Sequence, residues 1–375
     1  LFIAHEIVDL LAELVQLESP SEDKPALDVL GRLLAEKLGH IGGSVEIIRN
    51  ELGGDHVLAR FHKQSDLKPA LALGHFDTVW PIGTLKRMPF RIDDQGKAFG
   101  PGVFDMKASL AIVLTVIKQL RKNWEFLPRP IWVLFTSDEE IGSPTSRTLI
   151  ETLAKECAYA LVLEPALADG GLKTARKGVG RYHLAIEGKA AHAGVAPEDG
   201  RSAIVELAHQ ILALETLQDL AAGTTINVGL VQGGTTSNVV PARATAEIDV
   251  RVTSKAEAAR IEAALQVLTP HREGVQLTVT GSFNRPPMER TAAIVSLFEQ
   301  ARAIGRRAGH ELTEGSTGGG SDGNFTAALG VPTLDGLGAR GGGAHADDEH
   351  VVVDSLTERA GLLWGLLRFL QPESP

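Results

Sequence analysis

Seven polar side chains stand directly after apolar runs or inside tight loops, and their types suit metal chemistry. His75 and Asp77 follow LALG in PALALGHFDTV (Pro69–Val79). Glu139 and Glu140 follow IWVLF (Ile131–Phe135) within TSDEEIGS (Thr136–Ser143). Glu164 follows LVL in ALVLEP (Ala160–Pro165). Asp105 lies in GPGVFDMK and His345 in GGGAHADDEH. Two imidazoles and several carboxylates without cysteine form a donor set for zinc, with cobalt or manganese as substitutes. Each residue also has an ordinary reading: a surface or satisfied core histidine, a solvated acidic loop, a glutamate in a turn before proline. The run Asp138–Glu140 poses the question most sharply. Three adjacent carboxylates at the mouth of a buried strand repel one another unless a cation or hydrogen-bond donors neutralise them.

Convergence of these residues depends on the elements that carry them. Apolar residues at three- and four-residue spacing predict helices over 6–17 and 25–39, then over Met106–Lys122 and Thr145–Glu156. The short apolar runs at 69–79, 131–135 and 160–165 read as buried strands between them. Alternating strands and helices imply an α/β sheet with helices on both faces. Ligands of such a sheet bind outside the carboxyl ends of its strands, which is where these side chains fall. Near residue 175 the pattern changes to β-α-β-β-α-β, a split βαβ arrangement that includes helices at Ser202–Leu217 and Ser254–Leu268. NRPP (Asn284–Pro287) reads as a linker, after which helices return at 292–308 and 354–370. The expected organisation is one domain of 1–177 and 287–375 with a second, 178–286, inserted into it. The Gly-rich segments 315–323 and 336–343 read as loops.

The bulk composition narrows the classes. The chain has 375 residues, 43% hydrophobic and 22% charged, as in an ordinary globular protein. A formal net charge of −10 disfavours a nucleic-acid surface. No apolar run reaches the length of a membrane span. The single cysteine, Cys157, rules out an intrachain disulfide and any Cys-rich zinc site, and reads as a buried structural thiol. The amphipathic start lacks a basic segment and a cleavage site, so a cytoplasmic location is expected, or a periplasmic one if a leader has been removed. Two other motifs carry less. GGSDG (Gly319–Gly323) fits a nucleophile elbow with Asp335 and His345 downstream, but no strong strand precedes it. GLGARG (Gly336–Gly341) is not followed by a helix that could receive a phosphate.

GHFDTVWP, AFGPGVFDMK, LFTSDEEIGS, LVLEP, GKAAHAG, TTSNVVPARATAEIDVR and GAHADDEHV together resemble a known family. It is the two-zinc metallopeptidase and amidohydrolase family of carboxypeptidase G (glutamate carboxypeptidase), acetylornithine deacetylase, succinyl-diaminopimelate desuccinylase and aminoacylase. The motifs run in family order over nearly the whole chain, and the TGGG-(S/T)-D loop and lid motifs look similar to carboxypeptidase G. The resemblance implies a zinc-exopeptidase-like domain with a mixed sheet, plus an inserted ferredoxin-like α+β lid that also forms a homodimer. It implies His75 and Glu164 on one zinc, Glu140 and His345 on the other, Asp105 bridging both, Asp77 orienting a ligating imidazole, and Glu139 as general base. His192 would face the oxyanion across the dimer, Asn238 and Arg251 would hold the substrate's α-carboxylate, and Arg285 would supply a further contact. The expected substrate is a small peptide or N-acyl amino acid. The expected reaction is amide hydrolysis by a metal-bridging hydroxide that releases a C-terminal amino acid such as glutamate, or else deacylation of an N-acyl amino acid. The charges are consistent: two divalent ions bring four positive charges, three carboxylates cancel three, and hydroxide cancels the fourth. One departure is DMKAS (Asp105–Ser109), where many members have DMKGG.

Overall fold

The structure is a computed structural model that describes residues 2–62 and 65–371. It divides into two units. The first comprises the described residues up to Ala175, Arg290–Thr317 and the chain from Ser321 onward. The second comprises Arg176–Glu289 with Gly318–Gly320.

The first unit is built on a six-stranded mixed sheet in the spatial order Ser44–Ile48, His56–Phe61, Ile131–Thr136, Ala70–His75, Tyr159–Val162, Thr333–Leu334. The first three pair antiparallel in turn, and the remaining pairings are parallel. Ala70–His75 is buried along its whole length, which is why it reads as an unbroken apolar run. Its side chains alternate with a period of two. Ala70 and Ala72 face a core layer with the helices Ala4–Val15, Lys24–His40, Ala108–Leu120 and Val353–Phe369. Leu71 and Leu73 face the opposite layer, with Ile150, Leu153, Phe325 and the buried Cys157. Both faces are therefore covered, and the parallel strands end together at one edge.

Several elements depart from the expectations. The helix expected from Met106 begins at Ala108, and Val103–Lys107 forms a wide turn in which Asp105 and Met106 are non-helical. The strands Ser44–Ile48 and His56–Phe61 were not anticipated. Neither was a small antiparallel sheet ordered Gly341–Gly342, His350–Val352, Lys97–Phe99, Arg91–Ile92. Glu314–Thr317, expected to be loop, is a strand. Among the described residues no helix is long and apolar enough to cross a membrane.

The second unit is a four-stranded sheet in the order Thr225–Gly233, Arg243–Val252, Gly178–Glu187, Gln276–Arg285, with every neighbouring pair antiparallel. Its helices are Ala203–Glu215 and Lys255–Gln266. Ser202 and Ser254 cap them by accepting from the amides of Val205 and Glu257. Tyr182, Leu184 and Ile186 point to the helix-covered face with Ala244, Ala246, Ile248 and Val250. The last strand runs through Asn284 and Arg285, so half of the expected linker belongs to the sheet.

Candidate metal centre

Three of the strand ends deliver the donors. His75 is the last residue of Ala70–His75, Glu139 and Glu140 follow Ile131–Thr136, and Glu164 follows Tyr159–Val162. His75 Nδ1 lies 3.1 Å from the Asp77 carbonyl and 3.3 Å from Asp77 Oδ1. This nitrogen therefore carries the proton, and Nε2 turns toward the acids. Nε2 lies 3.2 Å from Asp105 Oδ1 and 3.5 Å from Glu164 Oε1. On the other side, His345 Nε2 lies 3.5 Å from Asp105 Oδ2 and 3.2 Å from Glu140 Oε2. The Asp105 carboxylate thus stands between two imidazoles, one oxygen facing each.

Two donors about 2.1 Å from one tetrahedral ion lie about 3.4 Å apart. The observed separations fit that spacing on both sides of Asp105. Donor atoms of His75, Asp105 and Glu140, and those of His75, Glu139 and Glu164, all lie within 4.8 Å of one another. Neither trio contains His345, but its two short contacts join it to the same constellation. His345 has a φ of 62°. That left-handed conformation costs a non-glycine residue about 1–3 kcal/mol and is concentrated at functional sites.

The acidic row divides by partner. Asp138 turns inward: Oδ2 accepts from the Thr145 amide (2.7 Å), the Thr145 hydroxyl (2.7 Å) and the Ser146 amide (3.1 Å), and Oδ1 from the Ser146 hydroxyl (2.5 Å). Asp77 holds the next two residues by their backbone, accepting from the amides of Glu139 and Glu140 at 3.1 Å each. The Ser21 hydroxyl also donates to it at 2.7 Å. Donors therefore neutralise Asp138. Glu140 Oε1 is buried and has no hydrogen-bond partner. A carboxylate in that condition calls for a cation.

The electrostatics agree. Burial, reinforced by Asp105 and Asp77, pushes the Glu140 carboxyl up to about 7 against the opposing His345. Asp105 and Glu140 raise His345 to about 10. Burial opposes protonation of His75, but Asp105, Asp77 and Glu164 hold its pKa well above the ordinary value. Burial would raise Asp105, yet the two imidazoles hold it below the usual carboxylate range. The acids draw positive charge onto both histidines, the role a pair of divalent ions fills.

Several supporting residues were not singled out from sequence. Glu349 is wholly buried and accepts from Trp80 and from three amides of the turn that carries Asp105. Arg359, also wholly buried, donates to the carbonyls of Gly338, Gly170 and Gly336, clamping the segment that leads to His345. Ser109, which with Ala108 departs from DMKGG, has a buried hydroxyl without a partner. A Cβ at Gly338 would lie 2.1 Å from that hydroxyl and 2.5 Å from the Leu163 carbonyl, so only glycine fits there. Ser321 of the GGSDG motif is buried, and its hydroxyl donates directly to Asp335 at 2.6 Å.

His192, Asn238, Arg251 and Arg285 all belong to the second unit. The segments of the first two adjoin: the Ala193 amide donates to the Asn238 carbonyl and the Val240 amide to the Ala191 carbonyl, both at 2.9 Å. Both side chains are exposed. Arg251 makes a two-pronged pair with Asp249, at 2.7 Å through Nε and 2.8 Å through Nη2, and its Nη1 lies 3.3 Å from the Gly318 carbonyl. Arg176 donates to the carbonyls of Gly319 and Gly320 at 3.2 Å. Arg285 is buried against Gly320, where a Cβ would lie 2.6 Å from Arg285 Cδ.

The sequence profile of peptidase family M20/M25/M40 matches residues 71–368, a span that includes His75, Asp105, Glu139, Glu140, Glu164 and His345. The chain belongs to this family. It is 32% identical over 363 residues to Carboxypeptidase G2 of Pseudomonas sp. (strain RS-16), covering 94% of this chain and 86% of that protein. It is 27% identical over 380 residues to the succinyl-diaminopimelate desuccinylase of Halorhodospira halophila, covering 97% and 98%. Among solved structures, aminopeptidase PepT from Bacillus cereus superposes with a TM-score of 0.78 at 24% identity, covering 98% of each chain. That likeness shows the α/β fold of M20 peptidases. With its family and its paired donor clusters, the protein is a metal-dependent hydrolase of peptide or amide bonds, and the clusters point to a dinuclear cofactor.

Proposed function

We propose that this M20 protein is a two-zinc carboxypeptidase that releases a C-terminal amino acid, glutamate in the first instance, from a small peptide or N-acyl substrate. The carrying observation is the Asp105 carboxylate between two imidazoles, with Glu164 beyond one and Glu140 beyond the other. The similarity to Carboxypeptidase G2 over most of both chains supports the substrate class. One zinc is assigned to His75, Asp105 and Glu164, and the other to His345, Asp105 and Glu140; cobalt or manganese suits the same donors. Bound there, the ions would acidify water and polarise the scissile carbonyl.

The chain's own residues do the rest. Glu139 takes a proton from the attacking water and passes it to the leaving amine nitrogen as the C–N bond breaks. Asp77 keeps the His75 proton on Nδ1 and leaves Nε2 for metal. In the second unit, read as a ferredoxin-like lid and dimerisation domain, the substrate's α-carboxylate takes the place of Asp249 at the Arg251 fork, with Asn238 as its second contact. Arg285 supplies a further contact, and His192 of the partner subunit donates to the developing oxyanion. The protein is read as a cytoplasmic homodimer.

The desuccinylase similarity favours one second reading, an N-acyl-amino-acid deacylase. A zinc-reconstituted preparation assayed on benzoyl- or pteroyl-glutamate and on acetylated and succinylated amino acids separates the two. Preference for the acyl-glutamates supports the carboxypeptidase; preference for the second group supports the deacylase. Absence of bound metal and of turnover on every substrate after zinc addition overturns both.

A further inference from the structure

The last acid of HADDE is the one that turns inward. Asp347 and Asp348 are exposed, whereas Glu349 is wholly buried. Its Oε2 accepts from Trp80 Nε1 at 2.7 Å and the Gly102 amide at 2.9 Å. Its Oε1 accepts from the Phe104 amide at 2.9 Å and the Asp105 amide at 3.0 Å. One carboxylate thus gathers four N–H groups from two separate segments. Trp80 lies just downstream of His75 and Asp77, and 102–105 is the turn bearing Asp105. Glu349 itself lies four residues after His345, next to the short strand pairing Gly341–Gly342 with His350–Val352.

We propose that Glu349 is the positioning residue of the metal centre: it sets the Asp105 carboxylate between the two imidazoles and ties the Asp105 turn, the segment after His75 and the His345 loop to one point. This inference rests on the reading of His75, Asp105 and His345 as metal ligands. Two facts favour positioning over simple core filling. Gly102, Phe104 and Asp105 stand at the start of the Val103–Lys107 turn, where amides have no carbonyl one turn earlier to bond, and they take the Glu349 carboxylate instead. An ionised carboxylate is also the only side chain that can accept all four bonds, because it has two oxygens and no donor. A glutamine of the same shape would face two of these N–H groups with its own NH2.

The test compares metal-stripped wild type with Glu349→Gln. Zinc binding is followed by calorimetry, and hydrogen exchange is followed at the amides of Gly102, Phe104 and Asp105. The variant should bind zinc about 10–100-fold more weakly. The three amides should exchange faster before any metal is added, and kcat should fall more than KM rises. A variant with a lower melting temperature but wild-type zinc affinity and wild-type protection at those amides overturns the inference. Wild type that takes up no zinc overturns the ligand reading and this inference together; wild type that binds zinc beside an unchanged variant overturns the inference alone. Should Glu349→Gln not fold, Trp80→Phe removes one donor and keeps a ring. It should weaken zinc binding about two- to tenfold and speed exchange at Gly102; no change in either result counts against the proposal.

Discussion

Around Asp105 the first unit fixes donors and the backbone that carries them by a second bond. His75 is turned by Asp77, the Asp105 turn is held by Glu349, and the amides of Glu139 and Glu140 end on Asp77. In the second unit, His192 and Asn238 are exposed, and their segments meet through backbone hydrogen bonds. A dinuclear site requires donors held to a few tenths of an ångström, so a rigid supporting shell suits it. Recognition of a substrate's carboxylate, the role proposed above for the second unit, tolerates exposed side chains that settle on binding. The contrast separates residues whose loss should change metal content from those whose loss should change KM.

The largest expected effect comes from a residue that breaks the contrast from inside the rigid unit. Glu139→Ala should lower kcat by about 10²–10⁴-fold while both metals stay bound, as shown by metal analysis of the purified variant. Its neighbour sharpens the point. Asp138→Ala would strand the donors of Thr145 and Ser146 and cost about 2–4 kcal/mol in urea unfolding. Two adjacent acids of one loop would then report on chemistry and on stability separately. Loss of metal in Glu139→Ala would make it a ligand, a role its place beside His75 and Glu164 allows.

Asp77→Ala comes next. Without its carboxylate, His75 loses one orienting contact, and two loop amides and the Ser21 hydroxyl lose their acceptor. Zinc affinity should fall about 10–100-fold in a calorimetric titration. In the second unit the matching change is Arg251→Lys, which keeps the charge and loses the fork. It should leave metal content alone and raise KM for an acyl-glutamate about tenfold, the value of about 1.5 kcal/mol in charged hydrogen bonds. If Arg251→Lys instead lowers zinc affinity, the division of labour between the units fails.

How much of this could be read beforehand follows the same contrast. The donors His75, Glu140 and Glu164 were legible because buried parallel strands write themselves as apolar runs, and polar residues at their ends mark the sheet's binding edge. The helices of the second unit, expected over Ser202–Leu217 and Ser254–Leu268 and found at Ala203–Glu215 and Lys255–Gln266, were legible for a similar local reason. Glu349 was not. It stands among Asp347 and Asp348 with no local mark, and its four partners lie 244 to 269 residues away. The strand Gly341–Gly342 exists only through pairing with His350–Val352, and glycine carries no strand signal of its own. Ser44–Ile48 lies at the sheet edge, half exposed and interrupted by Glu46, so its pattern stayed weak. What was missed is what long-range pairing alone creates.

The smallest expected effect lies behind the acidic loop. His56 is buried, with Nδ1 3.3 Å from the Ser137 amide, which donates to it, and Nε2 3.2 Å from the Thr145 hydroxyl. The Thr145 hydroxyl in turn donates a hydrogen bond to Asp138 at 2.7 Å. The network therefore assigns the neutral tautomer with the proton on Nε2. A second proton on Nδ1 would face the Ser137 amide N–H, with the Ser137 hydroxyl oxygen at 3.1 Å to receive it. Burial lowers the His56 pKa below 6.5, although Asp138, Asp322, Asp77 and Asp55 pull the other way. Because the folded value is the lower one, the unfolded chain binds more protons as pH drops below 6.5. The contribution of His56 is thus complete above that value and declines as pH falls toward the folded pKa, with a slope of at most about 1.4 kcal/mol per pH unit. Urea unfolding at pH 7.5 and 5.5 should show a smaller acid loss in His56→Gln, whose amide can accept from Ser137 and donate to Thr145 without titrating. An equal acid loss in variant and wild type would mean that the loop's acid sensitivity arises from its carboxylates rather than from the imidazole behind them.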